Sequence, residues 1–259
     1  MNKLLKLLVL MSIILLAACG TDSKDKLTVA TDAAFAPFEY MDKGEMVGFD
    51  VDLLAAVMEE AGFDYELKNT GWEPMLASVQ GGDADLAIAA ITINDDRKES
   101  YDFSSPYFES THMVVFPEGE NITSAEDIKG LKIGVQTGTT GADAAEKIVG
   151  KNDESISKYE SNSLAFMSLG SGDVDVVVTD NVVASEYVKN NPEAEVDMIN
   201  DQEAFESEFY GLMFPKDSEV RAEIDAALQT VIEDGTYAEI YEEWFGTEPN
   251  LDALKSASK

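Results

Sequence analysis

Cysteine and histidine are nearly absent from this chain, which has one of each among its 259 residues. A zinc site or a catalytic cysteine–histidine pair needs several such side chains close together, so neither is expected. The one histidine, His112, lies in an apolar stretch typical of a strand. We therefore predict no metal ion and no cofactor, and a single cysteine rules out a disulfide within the chain.

Basic residues are also scarce. Lys and Arg number 18 against 51 acidic residues, which gives a formal net charge of −33 at pH 7. A surface of this charge repels phosphate groups, so nucleic acid is excluded as a partner, and so is adsorption to an anionic membrane through basic residues. The acidity indicates a well-solvated surface suited to a saline or alkaline exterior rather than an acidic binding patch.

Signatures of nucleotide binders and hydrolases are missing as well. Residues 134–141 contain three glycines, but no lysine follows them, so they match no phosphate-binding loop. The chain has no nucleophile elbow. Two Gly-Asp-x-Asp segments, at 82–85 and 172–175, lack the further oxygen ligands of a calcium loop and are predicted to be turns from helix to strand.

The N-terminal segment has the pattern of an export signal. Lys3 and Lys6 precede an apolar run over residues 7–16, and two alanines then lead to Cys19. The run is too short to remain as a membrane span, and the segment resembles the signal peptides of bacterial lipoproteins. That resemblance implies a signal peptide at 1–18 and a lipid on Cys19, which anchors the protein to the outer face of the cell membrane through a short tether over 19–26. The alternative is an ordinary secretory signal followed by a chance cysteine.

The rest of the chain alternates strand and helix patterns. We predict a strand at 27–30 and then a helix that is capped by Asp50 and ends at Gly62. A second helix at 73–80 leads to a buried strand at 86–91. This order is typical of βαβ units in a parallel sheet covered by helices.

The same order returns in the second half of the chain, with a strand at 131–135, a helix at 142–149 and a strand at 176–178. This weak internal repeat favours two α/β lobes of similar plan. Extended stretches at 110–116 and 209–214 are predicted to cross between the lobes, which creates a cleft that a hinge can close on a ligand. The predicted lobes are 27–111 together with 207–259, completed by helices at 220–233 and 236–244, and 112–206.

Charged and polar side chains follow the predicted strands, at the end of a parallel sheet where ligand groups are usually placed. Asp32, Arg97 and Asp180 each follow a strand, and a helix begins near Thr139 and Thr140. An arginine can bind a carboxylate through two hydrogen bonds, helix N–H groups add to such an anion site, and an aspartate can hold an ammonium group. A free α-amino acid carries both charges around one carbon, so it would bridge the lobes and favour the closed form.

Ordered motifs along residues 27–249 carry a resemblance to a known family. They are Thr-Asp-Ala-Ala-Phe-Ala-Pro-Phe-Glu-Tyr at 31–40, Gly-Phe-Asp-Val-Asp-Leu at 48–53, Asp-Leu-Ala at 85–87 with Ile91-Thr92 and Arg97, Tyr-Asp-Phe-Ser at 101–104, Gly-Thr-Tyr at 235–237 with Tyr241, and Trp-Phe-Gly at 244–246. The chain resembles the extracellular solute-binding proteins of polar amino acid ABC transporters. The resemblance implies a two-lobed periplasmic-binding-protein-like (type II) α/β fold, a monomer, no enzymatic activity, and partnership with an ABC permease and its ATPase subunit.

The resemblance also implies roles for individual residues in holding the α-groups of an amino acid. Arg97 would bind the α-carboxylate together with the amides of Thr92 and Thr140. Asp180 and the carbonyl group of Ala90 would hold the α-ammonium group.

A second set of residues is implied to contact the ligand side chain. Phe35 and Trp72 would sandwich it between their rings, and Asp32 would lie at its far end. Gln136 and Thr139 complete the candidate site from the loop before the second-lobe helix.

The resemblance bears on specificity. Gln136-Thr137 and Trp72-x-Pro74 are similar to the branch that binds arginine, lysine and histidine, whereas glutamine binders tend to carry lysine at the position of Gln136. Two aromatic faces suit a cation, and Asp32 can receive a guanidinium. Because Asp32 is also found in glutamine binders, glutamine or another polar amino acid remains the alternative ligand.

Several of these candidates also have plainer interpretations. Arg97 could pair with Asp95 or Asp96 on a solvated turn, and Phe35 and Trp72 could be core residues. A dehydratase-like enzyme on the same fold is a further alternative. It would need a proton-transfer group over the ligand, for which a mobile Glu39 is the one candidate.

The lipid anchor leads to a direct prediction. Cys19→Ala removes the thiol that would carry the lipid, so the variant should be released as soluble protein with its ligand binding unchanged. Fractionation of membranes from cells that express the wild type and the variant measures this. Retention of the variant on membranes at the wild-type level would show that Cys19 is not the anchor.

Overall fold

The computed structural model describes residues 26–258. The predicted signal peptide, Cys19 and all of the tether except Lys26 lie outside this range. From Lys26 to Ser258, no helix is long and apolar enough to cross a membrane.

The first lobe is built on a mixed sheet of five strands, β1 (Leu27–Thr31), β5 (Tyr65–Asn69), β6 (Leu86–Ala87), β7 (Tyr101–Phe103) and β15 (Met213–Pro215). Their order across the sheet is β5-β1-β6-β15-β7. Strand β1 pairs in parallel with β5 and β6, and β15 runs antiparallel to both β6 and β7. A small antiparallel sheet beside it contains β2 (Ala34–Phe35), β3 (Glu39–Asp42) and β4 (Glu45–Val47).

The second lobe has a sheet of similar plan with the strands β9 (His112–Pro117), β10 (Ile133–Gln136), β11 (Ile156–Tyr159), β12 (Val176–Asp180) and β13 (Val196–Ile199). Their order across the sheet is β11-β10-β12-β9-β13. Strand β10 pairs in parallel with β11 and β12, and β9 runs antiparallel to β12 and β13. The predicted α/β fold with two sheet-based lobes is confirmed.

Two short strands, β8 (Phe108–Ser110) and β14 (Glu208–Tyr210), pair antiparallel where the chain passes between the lobes. The predicted crossings at 110–116 and 209–214 overlap these two strands only at Ser110 and at residues 209–210. Strand β9, which follows β8, belongs to the second-lobe sheet, and β15, which follows β14, belongs to the first-lobe sheet. The lobe boundaries at 111/112 and 206/207 stay a prediction.

Helices cover both sheets and bury apolar faces against them. The helix over Phe49–Ala61 buries Leu53, Leu54, Val57 and Met58, as its 3.6-residue period predicts. The α-helices are α1 (Phe49–Ala61), α2 (Trp72–Gly81), α3 (Asp95–Ser100), α4 (Thr140–Val149), α5 (Asn162–Ser171), α6 (Asn181–Asn190), α7 (Arg221–Glu233), α8 (Thr236–Phe245) and α9 (Leu251–Ala257). Short 3₁₀ helices lie at Ala125–Ile128 and Pro192–Ala194.

The two Gly-Asp-x-Asp segments are turns that the lobes share. Gly82 and Gly172 end α2 and α5 in the left-handed conformation, with φ of 77° and 75°. The second aspartate of each segment then ties the turn to the start of a strand. Asp85 accepts a hydrogen bond from the Thr28 amide at 2.7 Å, and Asp175 accepts one from the Lys132 amide at 2.8 Å. The internal repeat therefore extends to individual hydrogen bonds.

The predicted capping role of Asp50 is wrong. The N-cap of helix α1 is Gly48, two residues before Asp50, and the first amides of the helix are satisfied by backbone, with Phe49 N donating to Pro37 O and Asp50 N to Phe38 O. Gly48 makes this approach possible, because a Cβ atom there would lie 2.0 Å from the Phe38 carbonyl oxygen. The Asp50 side chain is left free to point inward, where it is fully buried.

The predicted strand at 86–91 is shorter than expected, since only Leu86 and Ala87 pair as β6. The remaining residues stay buried but leave the ladder, and Ala90 has a positive φ of 47°. Left-handed backbone is costly for alanine, so its surroundings must hold it in place.

Gly48 should be among the residues least tolerant of substitution. We expect Gly48→Ala to lower the free energy of unfolding by about 3 kcal/mol or more, because the methyl group meets a carbonyl oxygen and the backbone at φ 141° suits glycine alone. Gly44→Ala is the matched control: its φ is 93° and no atom lies within 4 Å of the added Cβ, so its cost should be about 1–2 kcal/mol. Urea unfolding measures both, and equal losses would contradict the close-approach argument.

Candidate functional site

A cavity lies between the two lobes at the carboxyl ends of β1, β6, β10 and β12. All ten residues predicted to bind a ligand line it, namely Asp32, Phe35, Trp72, Ala90, Thr92, Arg97, Gln136, Thr139, Thr140 and Asp180. Other residues that line it include Glu39 and Asn162. The structure thus brings the predicted set together, while the part of each residue in binding stays a prediction.

Arg97 is positioned by the short helix α3, where the Asn94 side chain caps the helix by accepting from the Arg97 amide at 2.8 Å. Its guanidinium donates to the Thr92 carbonyl at 2.9 Å and, across the cleft, to the Gly138 carbonyl at 3.3 Å. The plain pairing with Asp95 is not observed, because the ion pair of Asp95 is with Lys98 at 3.9 Å. Arg97 therefore faces the cavity.

Thr92 lies on an isolated bridge to Tyr210 of the connecting strand β14. The bonds on either side run from Ile93 N to Phe209 O and from Gly211 N to Ile91 O. In this antiparallel pattern the residue between two such bonds points its amide away from the partner strand. The Thr92 amide is therefore turned away from β14, as an anion-binding role requires.

Glu208 joins the two lobes beside Arg97. Its Oε2 accepts from the Thr92 hydroxyl at 2.9 Å and from the Thr140 hydroxyl at 2.7 Å. Thr140 begins α4 next to Thr139, whose hydroxyl accepts from the Ala142 amide and donates to the Gln136 carbonyl. The N-terminal end of α4 therefore faces the cavity and contributes positive potential there.

Asp180 ends β12 and is held by polar neighbours behind the cavity. The Tyr210 hydroxyl donates to its Oδ2, and His112 Nε2 lies 3.4 Å from its Oδ1. Burial raises the pKa of the Asp180 carboxyl above its ordinary value, and the nearby His112 opposes that change. Asp180 would accept an ammonium group readily, because a cation offsets the cost of burying its charge.

Asp32 follows β1 and is bound to the opposite lobe. Gln136 donates from Nε2 to Asp32 Oδ2 at 3.0 Å, and Gln136 is itself fixed by a hydrogen bond from Asn162 Nδ2 to its Oε1 at 2.8 Å. Burial raises the pKa of the Asp32 carboxyl, and the bond from Gln136 acts against that rise. The amide of Gln136 thus occupies one side of a carboxylate that remains available to a cation.

Phe35 and Trp72 are both buried and both line the cavity. Phe35 stacks on Phe38 with ring centroids 6.0 Å apart. The Trp72 ring lies 5.3 Å from the guanidinium carbon of Arg97, and its Nε1 donates to the Gly138 carbonyl at 3.2 Å. Trp72 therefore contributes to packing, to the closed cleft and to the orientation of Arg97, in addition to its predicted contact with a ligand.

Asp50 explains the unusual backbone of Ala90. One carboxylate oxygen accepts from the Ala90 amide at 2.8 Å and from the Tyr107 hydroxyl at 2.8 Å. These bonds hold Ala90 in its left-handed conformation at the edge of the cavity. Burial raises the pKa of Asp50 to about 6, and the two hydrogen bonds act against the rise.

Glu39, which was predicted to be mobile, is buried at the start of a strand. It begins β3 and is 1% exposed. It pairs with Phe35 between β2 and β3, its side chain lines the cavity, and the charge of Asp50 acts on it. A group fixed in this way does not fit the mobile acid or base that a dehydratase would need.

The electrostatic balance of the cavity is negative. Among the described residues that line it, Arg97 is the only basic side chain, against the carboxyl groups of Asp32, Glu39 and Asp180. Burial lowers the pKa of the Arg97 guanidinium, and the charges of Glu208 and Asp180 oppose that change. Over residues 26–258, no group of three or more His, Cys, Asp or Glu side chains is placed to hold a metal ion.

Sequence reasoning missed Glu208, Tyr210 and Asn162. Glu208 and Tyr210 lie on a strand that was predicted only as a crossing between lobes, and a crossing that borders a cleft is a place to look for cleft residues. His112 was considered only as a metal ligand, yet it contacts Asp180 and lies 3.8 Å from Glu208. No local pattern marks Asn162, which reaches the site only through Gln136.

Two lobes that contribute facing polar groups to one cleft define the class of solute-binding proteins. A family model described as bacterial extracellular solute-binding proteins, family 3, matches residues 27–247. The chain belongs to this family, which indicates an extracytoplasmic location. The resemblance inferred from the motifs is thereby confirmed.

Relatives and solved structures agree with this assignment. A probable histidine-binding protein of Neisseria gonorrhoeae is 38% identical over 250 residues, which cover 92% of this chain and 93% of the relative. The arginine-, lysine-, histidine-binding protein ArtJ of Geobacillus stearothermophilus has a TM-score of 0.88 at 56% identity, covering 89% of this chain and 100% of that one. An ancestral arginine-binding protein bound to glutamine has a TM-score of 0.80 at 41% identity, covering 86% and 99% of the two chains.

Proposed function

We propose that the protein captures a basic L-amino acid, arginine first and also lysine and histidine, in the cleft between its lobes and delivers it to an ABC importer. The observation that carries this proposal is that one cavity between the lobes contains Arg97, Asp180 and the further carboxyl groups of Asp32 and Glu39. Residues from both lobes would contact the same ligand. Binding would therefore favour the closed form.

The α-groups of the ligand would be held by charges from opposite lobes. Arg97 would bind the α-carboxylate together with the amides of Thr92 and Thr140, at the N-terminal end of α4. Asp180 and the Ala90 carbonyl would bind the α-ammonium. Because every α-amino acid carries these groups, this part of the site gives affinity without selecting a side chain.

Selection of the side chain would come from the remaining charge in the cavity. A zwitterionic ligand with a neutral side chain brings no net charge into a site where carboxyl groups outnumber the one arginine, whereas arginine or lysine brings one positive charge. Asp32 would accept a guanidinium between Phe35 and Trp72, whose ring faces favour a cation. The names of the histidine-binding relative and of the arginine-, lysine-, histidine-binding structural neighbour agree with this preference.

Glutamine is the second candidate, and one observation favours it. Asp32 already accepts a hydrogen bond from the neutral amide of Gln136, so the site can accommodate an amide donor beside this carboxylate. The arginine-binding structural neighbour that binds glutamine shows that one such cleft can take both ligands. A comparison of arginine and glutamine in the same buffer separates the two proposals.

Three further properties of the protein belong to the proposed transport role. We propose that the ligand leaves chemically unchanged, that the protein acts as a monomer, and that the lipid on Cys19 keeps it near the permease and its ATPase subunit. The buried position of Glu39 and the binding functions named for the relatives support a binder over an enzyme.

The residues that hold the α-groups should affect all ligands alike. Arg97→Ala or Asp180→Ala should each weaken binding by roughly 2–5 kcal/mol for every amino acid that binds, because each leaves a desolvated charge without its partner. Arg221→Ala is the matched control, since Arg221 lies outside the cavity. Titration calorimetry gives the losses. Near-normal affinity in Arg97→Ala would remove that residue from the site.

The acidic end of the site should set the preference for arginine. Asp32→Asn keeps an oxygen that can accept from Gln136 but removes the charge, so the gap between arginine and glutamine should narrow by about 1.5–3 kcal/mol. Trp72→Ala should lower arginine affinity through the loss of an aromatic face and of the bond to Gly138. Asp42→Asn, at an exposed position of β3, is the control.

Moderate salt should leave the preference intact, because it depends on contacts shorter than the screening length of about 8–10 Å. Wild-type protein that binds glutamine more tightly than arginine would contradict the proposed specificity.

A further inference from the structure

Glu39 is the one carboxyl group lining the cavity in the described part of the chain that has no N–H or hydroxyl donor. It is 1% exposed, and its polar neighbour is the carboxyl group of Asp50, which can only share a proton with it. Asp32 and Asp180, by contrast, accept from Gln136 and Tyr210. A buried carboxylate with no donor is costly, so Glu39 must either keep a proton or receive a cation.

The groups that face Glu39 are themselves acidic. Asp50 approaches from α1, Asp32 from the end of β1 and Asp180 from β12 across the cleft, and the Tyr107 hydroxyl is committed to Asp50. Burial, followed by the charges of Asp50 and Asp32, raises the pKa of Glu39 well above its ordinary value. Burial also raises the pKa of Asp50 to about 6. The cluster of Glu39, Asp50 and Asp32 therefore keeps protons that exposed carboxyl groups lose.

We propose that Glu39 is a second acceptor for the cationic side chain of the ligand, and that entry of this cation displaces one proton from the cluster of Glu39, Asp50 and Asp32 into solvent. The proposal rests on the proposed function and extends it. One positive charge enters and one leaves, so the net charge of the site is unchanged. Because a neutral amide side chain cannot replace the proton, the exchange separates arginine and lysine from glutamine.

This exchange makes selectivity depend on pH. While Glu39 is protonated in the free protein, release of one proton on binding raises the affinity for arginine by up to about tenfold for each pH unit gained. The gain ends once pH exceeds the pKa of Glu39 in the free protein, because the group is then already ionised. The affinity for glutamine should stay level, so the arginine-to-glutamine ratio should rise with pH.

Comparing the affinities for arginine and glutamine isolates the groups that face the ligand side chain. His112 lies 3.4 Å from Asp180 and 3.8 Å from Glu208, on the side of the cavity proposed to contact the α-groups. Those contacts are shared by arginine and glutamine and cancel in the ratio. Histidine is unsuitable as a probe because its own side chain titrates in the same range.

The test is titration calorimetry of the full protein at about pH 6 in two buffers of different ionisation enthalpy, which counts the protons released on binding. L-Arginine and L-lysine should each release about one proton, and L-glutamine close to none. Arginine binding without proton release overturns the proposal and needs no variant. The rank order of affinities, read from the same titrations, separately tests the proposed function.

Glu39→Gln identifies the group. The variant should lose the proton release and lower the arginine-to-glutamine affinity ratio by roughly tenfold or more. Glu45→Gln, exposed on the adjacent strand β4, removes the same charge and should change neither quantity. Asp32→Asn should retain the proton release. Glu39→Gln protein that still releases a proton and still prefers arginine would overturn the assignment to Glu39.

Discussion

Charge buried between the two lobes is the constraint on which the rest of the structure depends. Arg97, Asp32, Glu39 and Asp180 line one cavity, and burial shifts the pKa of each toward its neutral form. Closing the lobes without a ligand costs free energy, because some of the partners for these charges come from the opposite lobe and others only from a bound ligand. In the proposed function, a ligand that supplies complementary charges would stabilise closure, and binding and hinge motion would become one event.

A short series of contacts in the fold positions the residues of the site. Gly48 allows helix α1 to begin against the Phe38 carbonyl, which turns Asp50 inward to hold Ala90 in its left-handed conformation. On the other side of the cleft, Tyr210 of the connecting strand β14 holds Asp180. The residues that shape the site therefore include the hinge itself, so hinge geometry and site geometry are coupled.

Helices with a regular apolar period and turns marked by glycine could be predicted from the sequence, whereas contacts between residues far apart in the chain could not. The apolar face of α1 and the Gly-Asp-x-Asp turns follow from local rules and occur as predicted. Asp50 was misjudged because its position favours a helix cap locally, whereas its actual partners, Ala90 and Tyr107, lie 40 and 57 residues away.

The candidate site shows the same division. Its ten predicted residues lie around one cavity because the ordered motifs place them at strand ends, which the two-lobed fold brings together. Glu208 reaches the site because β14 pairs with β8, and no local sequence pattern indicates this contact. Glu39 is buried next to Phe38, whose ring packs against Phe108 and Tyr210, and sequence spacing does not reveal these distant contacts.

The most direct test of the central claim is a crystal structure of the protein grown with L-arginine. The account predicts the α-carboxylate on Arg97, the α-ammonium between Asp180 and the Ala90 carbonyl, and the guanidinium between Phe35 and Trp72 at the carboxyl groups of Asp32 and Glu39. Arginine bound outside this cavity, or inside it with its guanidinium directed away from Asp32 and Glu39, would contradict the account.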